Sequence, residues 1–254
     1  MVKFTTDGKY RIESLSSATL PGALKIINDH FFQDESVCMG TEVNKNPLAM
    51  EELLELCADA ALDGMSLVAV SNDSDEVVSA MFNKLQEVPI EGSEKTFFET
   101  FAEERCKQAS SRALVDLMVE FDTRCNFYER YNVDCGCEFM FLGSHRHHRQ
   151  KHLGELLCRT AVEQARKIKN VPVTPLTIQD LGPKYSFMKP RNPVTRVPKI
   201  CTALCSAIGT QKIVRSLGFT VVATFSLKDC IFNGKPFSER GVTTFCEAVT
   251  KRID

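Results

Sequence analysis

The chain has 254 residues, 43% of them hydrophobic and 25% charged, and a formal net charge of −2. That balance is ordinary for a globular protein, and it argues against a general nucleic-acid binder, whose affinity needs a broad basic surface. No apolar run reaches transmembrane length, the start Met-Val-Lys-Phe-Thr-Thr-Asp-Gly has no signal-peptide pattern, and the eleven scattered cysteines read as reduced thiols, so a cytoplasmic location is expected.

Residues 10–15 have strand character, and Pro21–Phe32 has helical periodicity ending in the polar break Gln33-Asp-Glu-Ser36. Asn46 before Pro47 marks a second helix start, because asparagine caps free amides and proline suits a first turn. Its apolar face carries Met50, Leu53, Leu54, Cys57, Ala60 and Ala61, and Gly64 stops it. Residues 65–71 and 76–83 read as strands joined into an antiparallel hairpin by Asn72-Asp-Ser-Asp75. Thr96 and Glu99 have capping-box spacing and open a helical region towards Arg124. A strand at 137–142 and a helix at 153–168 follow, the latter with Leu153, Leu156, Leu157, Ala161, Ala165 and Ile168 on one face. Five prolines from Thr174 to Pro198 interrupt any periodicity and predict an extended loop over or near the strand–helix junction. A strand at 197–204, a helix at 206–216 closed by Gly218, and strands at 221–225 and 243–249 around a turn at 233–236 complete the chain. With no repeat and no linker, one domain is expected.

Four of the five histidines fall in His145-Arg-His-His-Arg-Gln-Lys-His152, between the central strand and the helix at 153. A strand, a basic turn and a helix N-terminus together form an anion site, because free amides and the positive dipole end meet at the strand's exit. Arg149 and Lys151 add charge, and Gly154 allows close approach to the backbone. A phosphate or pyrophosphate cradle is the first reading. A histidine metal site and a plain solvated loop are the rivals. His148 and His152 stand four apart but flank the turn, and Cys135-Gly-Cys137 is a poor tetrahedral pair, so no metal is expected.

The order of elements resembles the GCN5-related N-acetyltransferases, and the motifs narrow this to the insect arylalkylamine N-acyltransferases. Arg149-Gln-Lys-His-Leu-Gly154 is similar to the superfamily's Arg/Gln-x-x-Gly-x-Gly/Ala motif. His30-Phe-Phe-Gln-Asp-Glu35 resembles Phe-Phe-x-Asp-Glu-Pro, and Ser206-Ala-Ile-Gly-Thr210 with Leu217-Gly-Phe219 resembles Ser-x-x-x-Ser…Leu-Gly-Phe. Asn233-Gly-Lys-Pro236 fits the stretch before the last strand. Four departures bear on substrate choice and catalysis. His152 replaces the first glycine, Ser36 the proline and Thr210 the second serine, while Arg240-Gly-Val-Thr243 stands where the family has Pro-Pro-His-Thr.

The resemblance implies an α/β fold with a mixed, V-shaped central sheet flanked by helices. It also implies acyl transfer from acetyl-CoA, or another acyl-CoA, to a small amine in a ternary complex without a covalent enzyme intermediate. Backbone amides of Gln150, Lys151, His152, Leu153 and Gly154, with Arg149, would hold the pyrophosphate, and main-chain groups of Leu142 and Ser144 the pantetheine arm. Glu35 would be the general base, through a water, with Ser206 and Thr210 protonating the departing thiolate. Read without the resemblance, Glu35 is equally a helix-end surface acid, Ser206 an N-cap and Thr210 a core residue, and His145 is a further candidate proton carrier. Arylalkylamines are the implied acceptors. Polyamines or agmatine are the alternative, since Asp34, Glu35 and Glu42 suit a second positive charge, and a non-catalytic CoA-binding module is the reading from another class. The expected partners are small molecules alone, with no nucleic acid and no membrane, and a monomer is the usual state.

Overall fold

Leu67–Ser71 is buried at every position and Val77–Glu87 at most of them, as in strands that lie mid-sheet between two layers. The computed structural model, which describes residues 2–5, 7–88, 95–190, 194–242 and 245–254, places them there. Among these residues one sheet holds eight strands: β1 (Val2–Phe4), β2 (Tyr10–Ser14), β3 (Leu67–Ser71), β4 (Val77–Glu87), β5 (Cys135–Ser144), β6 (Ile200–Cys205), β7 (Thr220–Ser226) and β8 (Phe245–Arg252). Their spatial order is β1-β2-β3-β4-β5-β6-β8-β7. Only β5 and β6 are parallel, paired from Gly136 opposite Ile200 to Phe139 opposite Ala203. Beyond Phe139 they part. β5 bulges at Met140, where its register with β4 shifts, and runs on beside β4 to Ser144, while β6 follows β8. The mixed sheet thus opens into a V, as the family resemblance implies, and its splayed ends leave main-chain groups free for a ligand.

Helices cover both faces. On one lie α1 (Leu20–Ile26), α2 (Ser36–Gly40), α3 (Pro47–Ala61), α4 (Phe97–Arg105), α5 (Ala109–Cys125) and α6 (Phe127–Tyr131), and on the other α7 (Leu153–Lys167) and α8 (Ile208–Ser216). Phe32, Leu53, Phe82, Leu114 and Phe141 fill the first interface, and Met81, Phe139, Leu157, Ala161 and Val214 the second. Side chains of this size contribute about 1.5–3 kcal/mol each when fully buried.

Several caps appear as the sequence predicts. Asn46 Oδ1 accepts from the amides of Leu48 and Ala49, and Thr96 and Glu99 make both bonds of the capping box. Four expectations are corrected. The first helix ends in a π-turn at Ile27–Phe31 and a short α-turn at Phe32–Asp34, so the polar break narrows to Glu35 and α2 restarts at once. The helical region after Thr96 is two helices, broken at residues 106–108. The helix expected at 206–216 begins at Ile208 with Ala207 at its N-cap, so Ser206 is not the cap. The described part of the proline-rich segment does not lie over the junction. Leu176, Ile178, Leu181, Tyr185 and Met188 pack on the core beside α3, Lys184 pairs with Glu51, and residues 191–193 fall outside the described set, as do 243–244 at the start of the last predicted strand.

Candidate active site

The turn from β5 into α7 places two non-glycine residues in the left-handed region, Gln150 at φ 61° and His152 at φ 57°. Glycine adopts that backbone freely, whereas an L side chain costs about 1–2 kcal/mol there. His152 thus adopts a backbone conformation that glycine takes freely. Its ring is 87% exposed, with Nδ1 3.5 Å from the Glu155 carboxylate, so its bulk is directed largely to solvent. No acceptor among the described residues reaches the backbone amides of residues 150–154. Free amides at the start of a fifteen-residue helix fit the pyrophosphate of an acyl-CoA. A Cβ added at Gly154 would meet Ile213 at 3.3 Å and Leu142 at 3.5 Å, so this glycine also lets α7 pack closely on α8 and β5.

Arg149 is already engaged. Its Nη2 donates to Asp34 Oδ2 at 2.7 Å and its Nε to the Ser144 carbonyl at 3.3 Å, while Arg146 reaches Asp34 Oδ1 at 3.1 Å. Burial alone would raise the Asp34 carboxyl, but the bonds from Arg149 and Arg146 leave it below its ordinary value. Lys151 is exposed and stands outside the cavity wall.

A cavity of about 760 Å³ runs through the V from this cradle to the α1–α5 side. Leu142, Ser144, Arg149, Gln150, His152, Leu153 and Gly154 line one end, and Glu35, Ser206 and Thr210 line its waist. Glu35 does two jobs. As the extended residue before α2 it caps that helix, accepting from the amides of Val37 at 2.9 Å and Cys38 at 2.7 Å. The same carboxylate accepts a hydrogen bond from the Ser206 hydroxyl across 171 residues of sequence. Glu35 is thus a helix-end acid, as it reads without the resemblance, but its cap faces a cavity.

Ser206 and Thr210 do not present a common hydroxyl face. Ser206 precedes α8 and bonds Glu35, whereas Thr210 Oγ1 donates to the Ala207 carbonyl at 2.9 Å inside the first turn. His145 is not on the cavity wall. Its Nδ1 accepts from the His147 amide at 3.3 Å, and its ring meets His30 edge-on at 4.5 Å. Burial, and then the neighbouring imidazole charges, push both His30 and His145 below the ordinary histidine value. Tyr10 hydrogen-bonds His148 Nδ1 at 3.0 Å. Among the described residues no three His, Cys, Asp or Glu side chains are grouped to hold a metal ion. Cys158, Cys205 and Cys246 also line the cavity, and burial pushes all three thiols up, Cys205 to about 12.

One feature escaped the sequence reading. Glu138 sits in the apolar run of β5, 4% exposed, at the inner end of the cavity among Leu114, Leu117, Met118 and Phe121 of α5. Burial and the nearby Asp122 carboxylate push its carboxyl well above the usual range, and burial likewise raises Asp122. A lone acid in Cys137-Glu-Phe-Met-Phe-Leu142 was the available signal.

No family model matches the sequence, and no curated protein sequence matches it. Solved structures do. An arylalkylamine N-acetyltransferase 2 from Aedes aegypti superposes with TM-score 0.70 at 18% identity over 96% of this chain and 99% of that one. The fold is that of the arylalkylamine N-acetyltransferases. A provisionally assigned arylalkylamine N-acetyltransferase 7 from the same mosquito gives 0.72 at 17% identity, covering 100% and 93% of the two chains. A Drosophila melanogaster polyamine N-acetyltransferase, an enzyme that forms N-acetylagmatine, gives 0.69 at 13% over 96% and 99%.

Proposed function

We propose that the protein is an acyl-CoA-dependent amine N-acyltransferase, with acetyl-CoA as donor and a small primary amine as acceptor. The observation that carries this reading is the single cavity shared by the free amides of residues 150–154 and the Glu35 carboxylate. The known enzymes of the same fold act on arylalkylamines and on agmatine, both primary amines. An alkylammonium with a pKa of about 10 must lose a proton before it attacks a thioester. Glu35 takes that proton through a water, and Ser206, whose hydroxyl bonds Glu35, protonates the departing thiolate. Thr210, engaged with Ala207, has a weaker claim to that role. The pantetheine arm lies along Leu142 and Ser144 of the splayed strand, whose main chain polarises the thioester carbonyl. Arg149 supports the pyrophosphate, and exposed Lys151 contributes only long-range charge. The reaction is a direct transfer, since burial and the nearby carboxylates, Glu35 beside Cys246 and Glu247 beside Cys205, hold the cavity thiols protonated.

CoA-thiol release with acetyl-CoA against dopamine, tyramine, serotonin, agmatine, putrescine and spermidine tests the proposal. Saturable release with at least one amine is expected. Binding of acetyl-CoA without release on any amine would instead support a non-catalytic CoA-binding module.

A further inference from the structure

The inner end of the cavity holds a charge that the proposed chemistry does not use. The walls there are apolar (Leu114, Leu117, Met118, Phe121 and Met140), apart from Glu138. Gln86 donates to Glu138 Oε2, and no donor among the described residues reaches Oε1. The nearest cation does not answer this need. Lys84, the cross-strand neighbour of Glu138, is itself buried, lies 3.3 Å from Asp59 and 3.4 Å from Asp63, and rests 4.0 Å over the Phe97 ring. Asp122 approaches from α5 and adds a second carboxyl with no hydrogen bond or ion pair among the described residues. Among the described residues, Glu138 and Asp122 thus share this region with a single ammonium, which Asp59 and Asp63 already engage. Buried carboxylates are expensive unless a cation or a proton accompanies them.

We propose that Glu138, backed by Asp122, is the distal-cation subsite of the acceptor pocket, so that the preferred acceptors carry a positive group at each end, as α,ω-diamines and aminoalkylguanidines do. The inference rests on the acyltransferase reading and deepens it. Strand register sets the length of the acceptor. Glu138 is opposite Thr202, and Ser206, which bonds Glu35, is four residues further along. Four residues of strand span about 13 Å. A short polymethylene chain, with a direct hydrogen bond at Glu138 and a water-bridged one at Glu35, fits within that span. The apolar sleeve of α5 suits that polymethylene stem, whereas a ring hydroxyl at the same depth would leave the carboxyl pair without a countercharge.

The test compares acceptors matched in length, using the full chain with acetyl-CoA: cadaverine and agmatine against n-pentylamine and tyramine. The wild type is expected to favour cadaverine over n-pentylamine by about tenfold or more in kcat/KM, the size of a hydrogen-bonded charge interaction. In Glu138→Gln that ratio collapses towards one. A wild-type ratio near one, tyramine preferred over both dications, or a ratio unchanged in Glu138→Gln would overturn the proposal. Asp122→Asn is the second variant should Glu138→Gln fail to fold, and a lowered ratio is expected there too. If no amine is acylated, the acyltransferase reading falls, and the subsite is then read from melting temperatures of the CoA-bound protein. A shift given by cadaverine but not n-pentylamine supports the subsite, and equal shifts overturn it.

Discussion

Replacing Glu35 by glutamine separates the two tasks that this side chain combines. The carboxylate takes three hydrogen bonds, from the amides of Val37 and Cys38 and from the Ser206 hydroxyl. Glutamine keeps one acceptor oxygen and turns an NH₂ group towards one of these donors, so α2 loses part of its cap. That costs about 1–2 kcal/mol, which for a chain of this size lowers Tm by about 3–8 °C. Proton abstraction is affected far more, because an amide cannot accept the ammonium proton, and kcat/KM should fall by about 10²–10⁴. The affinity for acetyl-CoA should stay within twofold, since residues 150–154 do not touch Glu35. Melting by calorimetry, acetyl-CoA titration and thiol release on the best amine make the three readings. A kcat/KM within about threefold of wild type would refute the base assignment. A Tm loss beyond about 15 °C would show that Glu35 is chiefly structural and that any lost turnover reports unfolding.

Four further outcomes are expected. His152→Gly relieves a left-handed histidine, and after the entropy cost of glycine should raise stability by up to about 1 kcal/mol and tighten acetyl-CoA binding, as calorimetry and titration would record. Gly40→Ala places a Cβ 2.2 Å from the buried Phe237 ring, so the ring or α2 must move, and urea unfolding should show a loss of about 1–3 kcal/mol. Iodoacetamide should label Cys230 first, the one cysteine that is not buried, and leave turnover intact, with labelled sites mapped by mass spectrometry. The fourth concerns pH. Glu138 and Asp122 both titrate above their unfolded values, Asp122 at about 7, so the native state holds protons that the unfolded chain has released. Their stabilisation is complete below about pH 4 and is lost as pH rises towards and beyond 7. With Lys84 and Tyr128 the other titratable neighbours, the Tm of Glu138→Gln relative to wild type should climb from pH 5 to 8, and a flat difference would show that the pair holds no proton.

How much of this was legible in the sequence depended on whether a signal was local. The strand–turn–helix junction is legible because its parts are contiguous: an apolar strand, a basic turn and a periodic helix fix one another within thirty residues. The α3 cap and the Thr96 capping box were legible for the same reason. Only the family resemblance brings Glu35 and Ser206 to one site, since no pattern in the 170 intervening residues signals their bond. Ser206 falls inside the helix that the pattern predicts at 206–216, whereas α8 starts two residues later. Five prolines without periodicity predict a loop over or near the junction, whereas the Leu, Ile and Tyr side chains of the segment take its described part to the α3 core. Glu138 passed unremarked because a single acid does not break a strand pattern, and only the packing of α5 reveals what it faces.

The cap at Glu35 also bears on how the site is assembled during synthesis. The carboxylate's amide donors belong to the next three residues, but its hydroxyl partner is residue 206, and the ring pressed on Gly40 of the helix it caps is residue 237. At typical elongation rates on the order of 10–40 s pass between the appearance of residue 35 and that of residue 206. Through that interval an acid, its helix and half of an apolar cavity wait without their closing strands. A nascent chain is thus incompetent until residues 206 and 237 have emerged, and its open sheet edge is the part that most needs shielding on the ribosome.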